Sequence, residues 1–225
     1  MKILFHTNQL SLRGTEIALY DYAHYNEKIL NNKSIVAVKR VGFHHPLVQE
    51  RFCNRFNVFY YDTLDQLQAF ADNENVKIFY AIKSGTNDDI LLKGIKNCVH
   101  AVFMNYQPHG DVYAYISDWL SKKMSNGRIP SVPHIVKLPN SNSDFRKELN
   151  IPEDAVVFGR YGGMETFDIP FVKRLIYSIA SQYENTYFLF LNTENFLETK
   201  NYFKAKWINK LVSPLLYSKK RMKIY

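Results

Sequence analysis

Short apolar runs, separated by stretches of helical periodicity, constrain this chain more than any other feature. Ile3–Phe5, Ile35–Val38, Val58–Tyr61, Val76–Ile82 and Cys98–Met104 read as strands, the last apolar throughout except for His100. Between them, Thr15–Leu30 places Ile17, Leu19, Tyr20, Ala23 and Ile29 at roughly helical spacing. Pro46–Phe56 reads as a short helix, and Thr63 is placed to cap a helix over Leu64–Ala71 with Leu67 and Phe70 turned inward. Val112–Ile116 reads as a sixth strand, followed by a helix from Ser117 that carries Trp119 and Leu120. Ile135–Leu138 reads as a further short strand before Pro139, and His6–Gly14 as a polar loop. Strands that do not alternate apolar with polar are buried on both faces. Strands that alternate with helices build a parallel sheet with helices on each side. The expected fold class is therefore α/β, with a Rossmann-like parallel sheet.

A second pattern begins at Asp154. The run Ala155–Phe158 ends at Gly159, Arg160 and the pair Gly162-Gly163 follow, and an amphipathic helix is expected over Ile169–Gln182, then a buried strand over Tyr187–Leu191. A strand, a glycine loop and a helix start can present backbone N–H groups and a helix dipole to a phosphate. The same glycines also fit an ordinary tight βα turn. The polar stretch Asn140-Ser-Asn-Ser-Asp144 marks a linker, and a short helix is expected over Phe145–Leu149. The expected organisation is a first domain over 1–140, a linker over 141–153, the start of a second Rossmann-like domain over 154–199 and a basic tail over 200–225. Only two strands are legible in the second domain, so it reads as incomplete.

Composition closes off several classes. With 46% hydrophobic residues in 225, the chain can bury a sizeable core. The formal charge of +8 resides in one place: residues 200–225 hold eight Lys and Arg and no acid, which leaves 21 basic and 21 acidic residues before them. That cluster reads either as an anion-binding patch or as a solvated terminus, and nucleic acid is not an expected partner. Two cysteines, Cys53 and Cys98, are too few for a disulfide framework and point to a reducing, cytoplasmic setting. No apolar run approaches the ~20 residues of a membrane-spanning helix, and the N-terminus lacks the apolar core of a secretion signal. There is no Gly-x-Ser-x-Gly elbow, no Gly-x4-Gly-Lys phosphate loop and no Gly-x-Gly-x-x-Gly after the first strand. His44-His45 are adjacent and lack a carboxylate or cysteine at ligand spacing, which disfavours a zinc site.

The order of three segments resembles a known family. Arg13-Gly14-Thr15-Glu16 closes the first loop, Pro108-His109-Gly110-Asp111-Val112-Tyr113-Ala114-Tyr115-Ile116-Ser117 follows later, and Phe145-Arg146-Lys147-Glu148-Leu149-Asn150-Ile151-Pro152 leads into Val157-Phe158-Gly159-Arg160. This is similar to retaining glycosyltransferases of the GT-B type, of the glycosyl transferase group 1 (family 4) kind, and most like versions encoded by large DNA viruses. The resemblance covers about residues 1–195 and implies two facing Rossmann-like domains. The first would hold a glycan or other hydroxyl acceptor, the second a nucleotide-diphosphate sugar as donor substrate. No cofactor and no metal are implied.

The resemblance also implies roles. Gly14 and Glu16 fall where the family's backbone nears the donor phosphates, His109 where it often has a sugar-contacting histidine, and Arg160 with Gly162 and Gly163 where it binds the donor diphosphate. An arginine beside helix N–H groups stabilises a leaving diphosphate without proton transfer. His109 also reads as a surface histidine, His100 as a satisfied core residue, and Tyr106 and Tyr113 either as sugar-stacking rings or as core. The sequence departs from the family in two places: no lysine follows closely after Gly159-Arg160, and the family's late Glu-x7-Glu segment is absent. The expectation is therefore a transferase truncated in its second domain, with weak or undetectable turnover alone. The alternative is a non-catalytic glycan- or partner-binding module, with a protein partner covering the incomplete domain. Gly14, His109 and Arg160 are expected to face one groove.

Overall fold

The computed structural model describes residues 1–136, 146–161, 169–191 and 211–212. The chain divides into two compact units, Met1–Lys137 and Leu138–Tyr225. In the first, β1 (Lys2–Thr7), α1 (Gly14–Leu30), β2 (Lys33–Lys39), α2 (Pro46–Cys53), β3 (Asn57–Tyr61), α3 (Leu64–Asn73), β4 (Ile78–Lys83), β5 (Lys96–Ala101), β6 (Val112–Tyr115) and α4 (Asp118–Ser125) follow in sequence. Every strand pair is parallel, in the order β3-β2-β1-β4-β5-β6.

Both faces of this sheet are covered, as continuous apolar strands require. Ile3, Phe5, Val36 and Val38 pack with Ala18, Leu19 and Ala23 of α1 and Val48 and Phe52 of α2. Leu4, Ile35, Ala37, Phe79 and Ala81 point the other way and meet Leu67 and Ala71 of α3. The strand order explains the division. Stepping from β1 to β2 to β3 moves the chain one way with α1 and α2 on one face. Passing from β3 back across β1 to β4 reverses direction, and a right-handed crossover then places α3 on the opposite face. The reversal leaves a switch point between β1 and β4.

Several boundaries differ from the sequence expectation. His6 and Thr7 belong to β1 rather than to the polar loop, because β1 pairs with β2 as far as Thr7↔Val38. Strand β5 ends at Ala101, so Phe103 and Met104 are exposed instead of buried. Ile135 and Val136 are not in a strand, and the remainder of the segment 135–138 lies outside the described residues. The chain instead pairs beside β6 at one residue, Ser131, opposite Tyr115. Pro130 and Pro133 flank that bridge, and their missing N–H groups confine the ladder.

The second unit holds β7 (Val156–Tyr161), α5 (Pro170–Gln182), β8 (Thr186–Leu191) and β9 (Leu211–Val212), with the strands parallel in the order β7-β8-β9. Ile176 and Ala180 of α5 pack on Phe188 and Phe190 of β8. Gly159 does not end the strand: pairing with β8 continues through Gly159↔Leu189 and Arg160↔Phe190 to Tyr161↔Leu191, and this ladder overrides the weak strand preference of glycine. Residues 146–150 form turns rather than a helix, with Phe145 outside the described residues. The stretch read as a basic tail contributes β9, a third strand of this sheet.

Candidate functional site

In an open parallel sheet, ligands bind beyond the carboxyl ends of the strands, at the switch point. Here that is the edge where β1 and β4 end. The loop after β1 is pinned by Leu10, which is fully buried; its N–H donates to His44 Nδ1 at 3.1 Å, and its carbonyl accepts from the His45 N–H at 2.7 Å. The loop then enters α1 at Gly14, with Arg13 at the cap position making no side-chain capping bond. Gly14 is exposed, and a Cβ built on it would meet nothing within 4 Å. The backbone at the start of α1 is thus open to a ligand. Two residues on, Glu16 is buried and accepts from the Thr15 hydroxyl at 2.9 Å. Burial raises its carboxyl above the usual range, and the hydroxyls of Thr15 and Ser11 oppose the rise.

The opposite side of the switch point carries a buried polar cluster. His6, at the end of β1, lies 2.6 Å from the Tyr61 hydroxyl through Nε2, while its buried Nδ1 has no hydrogen-bond partner among the described residues. Burial, with the nearby Lys83 charge second, pushes the His6 pKa down to about 3, so the ring is neutral. Lys83, the last residue of β4, is buried; its ammonium donates to Asp88 Oδ1 at 2.5 Å and to the Ile90 carbonyl at 2.9 Å. Burial works against the charged Asp88, but the Lys83 bond and charge and the Ile90 N–H outweigh it and hold the carboxyl below its usual range. This pair ties the loop after β4 to its strand.

That loop is also fixed by Gly85. Its φ is +104°, and a Cβ there would lie 2.9 Å from the Tyr113 hydroxyl, which donates to the Gly85 carbonyl. Sequence reading missed His6, Tyr61, Lys83 and Asp88. The signal available was a histidine and a lysine at the ends of otherwise apolar strands.

The structure places the expected residues unevenly. Gly14 and Glu16 stand together at the start of α1. His109 lies on the return loop between β5 and β6, at the amino end of β6: beside it, Asp111 N–H donates to the carbonyl of Asn97, near the start of β5. It is therefore remote from the carboxyl edge where Gly14 sits. Its Nδ1 is 2.7 Å from the Gln107 carbonyl, its ring meets Tyr113 edge-on, and Nε2 is buried with no hydrogen-bond partner among the described residues. Arg160 sits in β7 of the second unit, paired with Phe190. Gly162 and Gly163 lie outside the described residues.

His100 is a satisfied core residue, with Nδ1 2.7 Å from the Tyr80 hydroxyl and Nε2 2.9 Å from the Val132 carbonyl. Tyr113 is buried and Tyr106 exposed. Among the described residues, no group of three or more His, Cys, Asp and Glu is placed to hold a metal, and no helix is long and apolar enough to cross a membrane.

No protein-family model matches this chain, and no curated protein is similar to it at a significant level. A solved structure is similar: the crystal structure of a glycosyltransferase from Rickettsia africae superposes with a TM-score of 0.62 at 14% identity, over 94% of this chain and 67% of that one. The chain is thus an α/β protein with a Rossmann-like parallel sheet, similar in fold to that solved glycosyltransferase.

Proposed function

We propose that this protein binds a nucleotide-diphosphate sugar and a glycan or other hydroxyl acceptor, and that its chemistry is transfer of the sugar with retention at the anomeric carbon, as in GT-B enzymes. One observation carries the reading: the start of α1 presents an exposed glycine with open space over it, at the switch point of the sheet. Helix N–H groups and the helix dipole favour a diphosphate there. In this reading Gly14 and Glu16 serve the donor at the start of α1, and Arg160, Gly162 and Gly163 keep the diphosphate-binding role that the family resemblance implies for them. His109, at the amino end of β6, lies away from the carboxyl edge where Gly14 sits, so the sugar-contacting role implied for it by the family resemblance is left out of the site, and His109→Ala should leave transfer unchanged.

The experiment is transfer from radiolabelled UDP- and GDP-sugars, with the anomeric configuration of the product read by NMR. Retained configuration, lost with Arg160→Ala, supports the proposal; an inverted product refutes retention. Binding of glycan without any nucleotide-sugar favours a non-catalytic module, a second reading supported by the exposed Phe103, Met104 and Tyr106 on the loop after β5.

A further inference from the structure

The last described stretch of the first unit is fastened to the sheet by side chains that the proposed reaction does not use. Ser131 bridges Tyr115, with Tyr115 N–H donating to Pro130 O at 2.9 Å and Val132 N–H to Tyr115 O at 2.7 Å. Beyond that bridge, two rings hold the chain down. His100 of β5 reaches the Val132 carbonyl through Nε2 at 2.9 Å, and Tyr22 of α1 donates its hydroxyl to the Pro133 carbonyl at 2.6 Å. His134 then packs edge-on against both, at ring-centroid distances of 5.6 Å from His100 and 6.2 Å from Tyr22. Its Nε2 is buried, with no hydrogen-bond partner among the described residues.

The bonds dictate protonation states. A carbonyl only accepts, so His100 Nε2 carries the proton and Nδ1 accepts from the Tyr80 hydroxyl at 2.7 Å. A second proton on His100 would displace the Tyr80 donor and bring a charge into a buried site beside another imidazole. A proton on His134 Nε2 would be a buried donor with no acceptor among the described residues. Among the described residues, the groups that face the pair are Tyr80 from β4, Tyr22 from α1 and the backbone of Tyr115 from β6. The two phenols are neutral in this range; burial pushes Tyr22 up to about 12 and Tyr80 upward as well. Burial, and then the His134 neighbour, pushes His100 down to about 4, and burial lowers His134.

We infer that Tyr22, His100 and His134 form an acid-released latch on the segment 130–136, which docks while both imidazoles are neutral and lifts from the sheet when they take up protons. This goes beyond the sugar-transfer reading and does not depend on it. The sign follows from linkage. Both histidines are depressed when docked, so docking is fully supported above about pH 6.5, the unperturbed value, and weakens as pH falls from there toward about 4 for His100. His100 shifts the equilibrium about tenfold per pH unit across that window, and His134 acts in the same direction.

The test is hydrogen exchange of the full chain between pH 7.5 and 5.5, corrected for the intrinsic pH dependence of exchange. The amides of Tyr115 and Val132 report the latch, and those of Val36 and Phe79 report the sheet interior. The latch predicts that opening at Tyr115 and Val132 rises about tenfold from His100 alone, and more with His134, while the interior amides stay constant. The variant His100→Gln/His134→Gln should flatten the response. In wild type, NMR of the His100 ring should show the neutral Nε2–H tautomer at pH 5.5 in the docked state. Constant protection at Tyr115 and Val132 overturns the proposal, as does a rise that the interior amides share. A pH response that survives the double substitution, or His100 titrating near 6.5 while those amides remain protected, overturns it equally.

Discussion

Removing either partner of the Lys83–Asp88 pair should destabilise the first unit by unequal amounts, and the inequality follows from burial. The Lys83 side chain is 3% exposed and that of Asp88 32%. Asp88→Ala leaves the ammonium buried with the Ile90 carbonyl as its remaining hydrogen-bond partner among the described residues, and an uncompensated buried charge costs about 3–5 kcal/mol. Lys83→Met leaves a carboxylate that water already reaches and that still accepts from the Ile90 N–H, so its cost is nearer 1–3 kcal/mol. Lys83→Met/Asp88→Ala should recover part of the loss of Asp88→Ala, because methionine fills the space of the lysine stem without a charge to desolvate. Equilibrium urea unfolding of the three variants measures this cycle. The pH dependence has a definite sign. Asp88 is held below its usual range, so its contribution is present above about pH 4 and declines as pH falls through the lowered value; the gap between wild type and Asp88→Ala should narrow there. Lys83→Met costing as much as Asp88→Ala would refute the reasoning.

Other expectations are independent of that pair. Gly85→Ala should cost about 2 kcal/mol or more, since φ is +104° and the Cβ would meet the Tyr113 hydroxyl, whereas Gly14→Ala should change stability by no more than about 1 kcal/mol; thermal unfolding separates them. Thr63→Ala should cost about 1 kcal/mol and raise exchange at the Gln66 amide, which its side chain caps. His6 should stay neutral by NMR at pH 5. It is depressed to about 3, so its contribution to stability is complete above about pH 6.5 and is lost as pH falls from there toward about 3.

The first sheet was legible because its strands carry no polar alternation and its helices carry their period. Leu67 and Phe70 on α3, and the Thr63 cap, are where the pattern puts them. Boundaries were harder. Nothing in Cys98–Met104 distinguishes the buried part from exposed Phe103 and Met104, because strand length is set by the partner strands. Gly159 looked like a terminator and is carried through β7 by the ladder to β8. Of the site, Gly14 and Glu16 were legible as a loop-to-helix junction. His109 was judged by its loop, yet a loop between parallel strands runs from the carboxyl edge to the amino edge, and sequence alone does not say which end a residue occupies. The Lys83–Asp88 pair and the His6–Tyr61 contact were invisible because their partners are distant in sequence or depend on the fold of a loop.

Calorimetric titration of the full chain with a panel of UDP- and GDP-sugars, run beside Gly14→Val, tests the central claim most directly. The start of α1 accommodates the added side chain in the free protein, so the melting temperature should change by no more than about 3 °C. The account predicts saturable binding of at least one nucleotide-sugar by the wild type and at least about tenfold weaker binding by Gly14→Val, since the new side chain occupies the space over the helix N-terminus. No binding of any nucleotide-sugar, or equal binding by the two proteins, would contradict it.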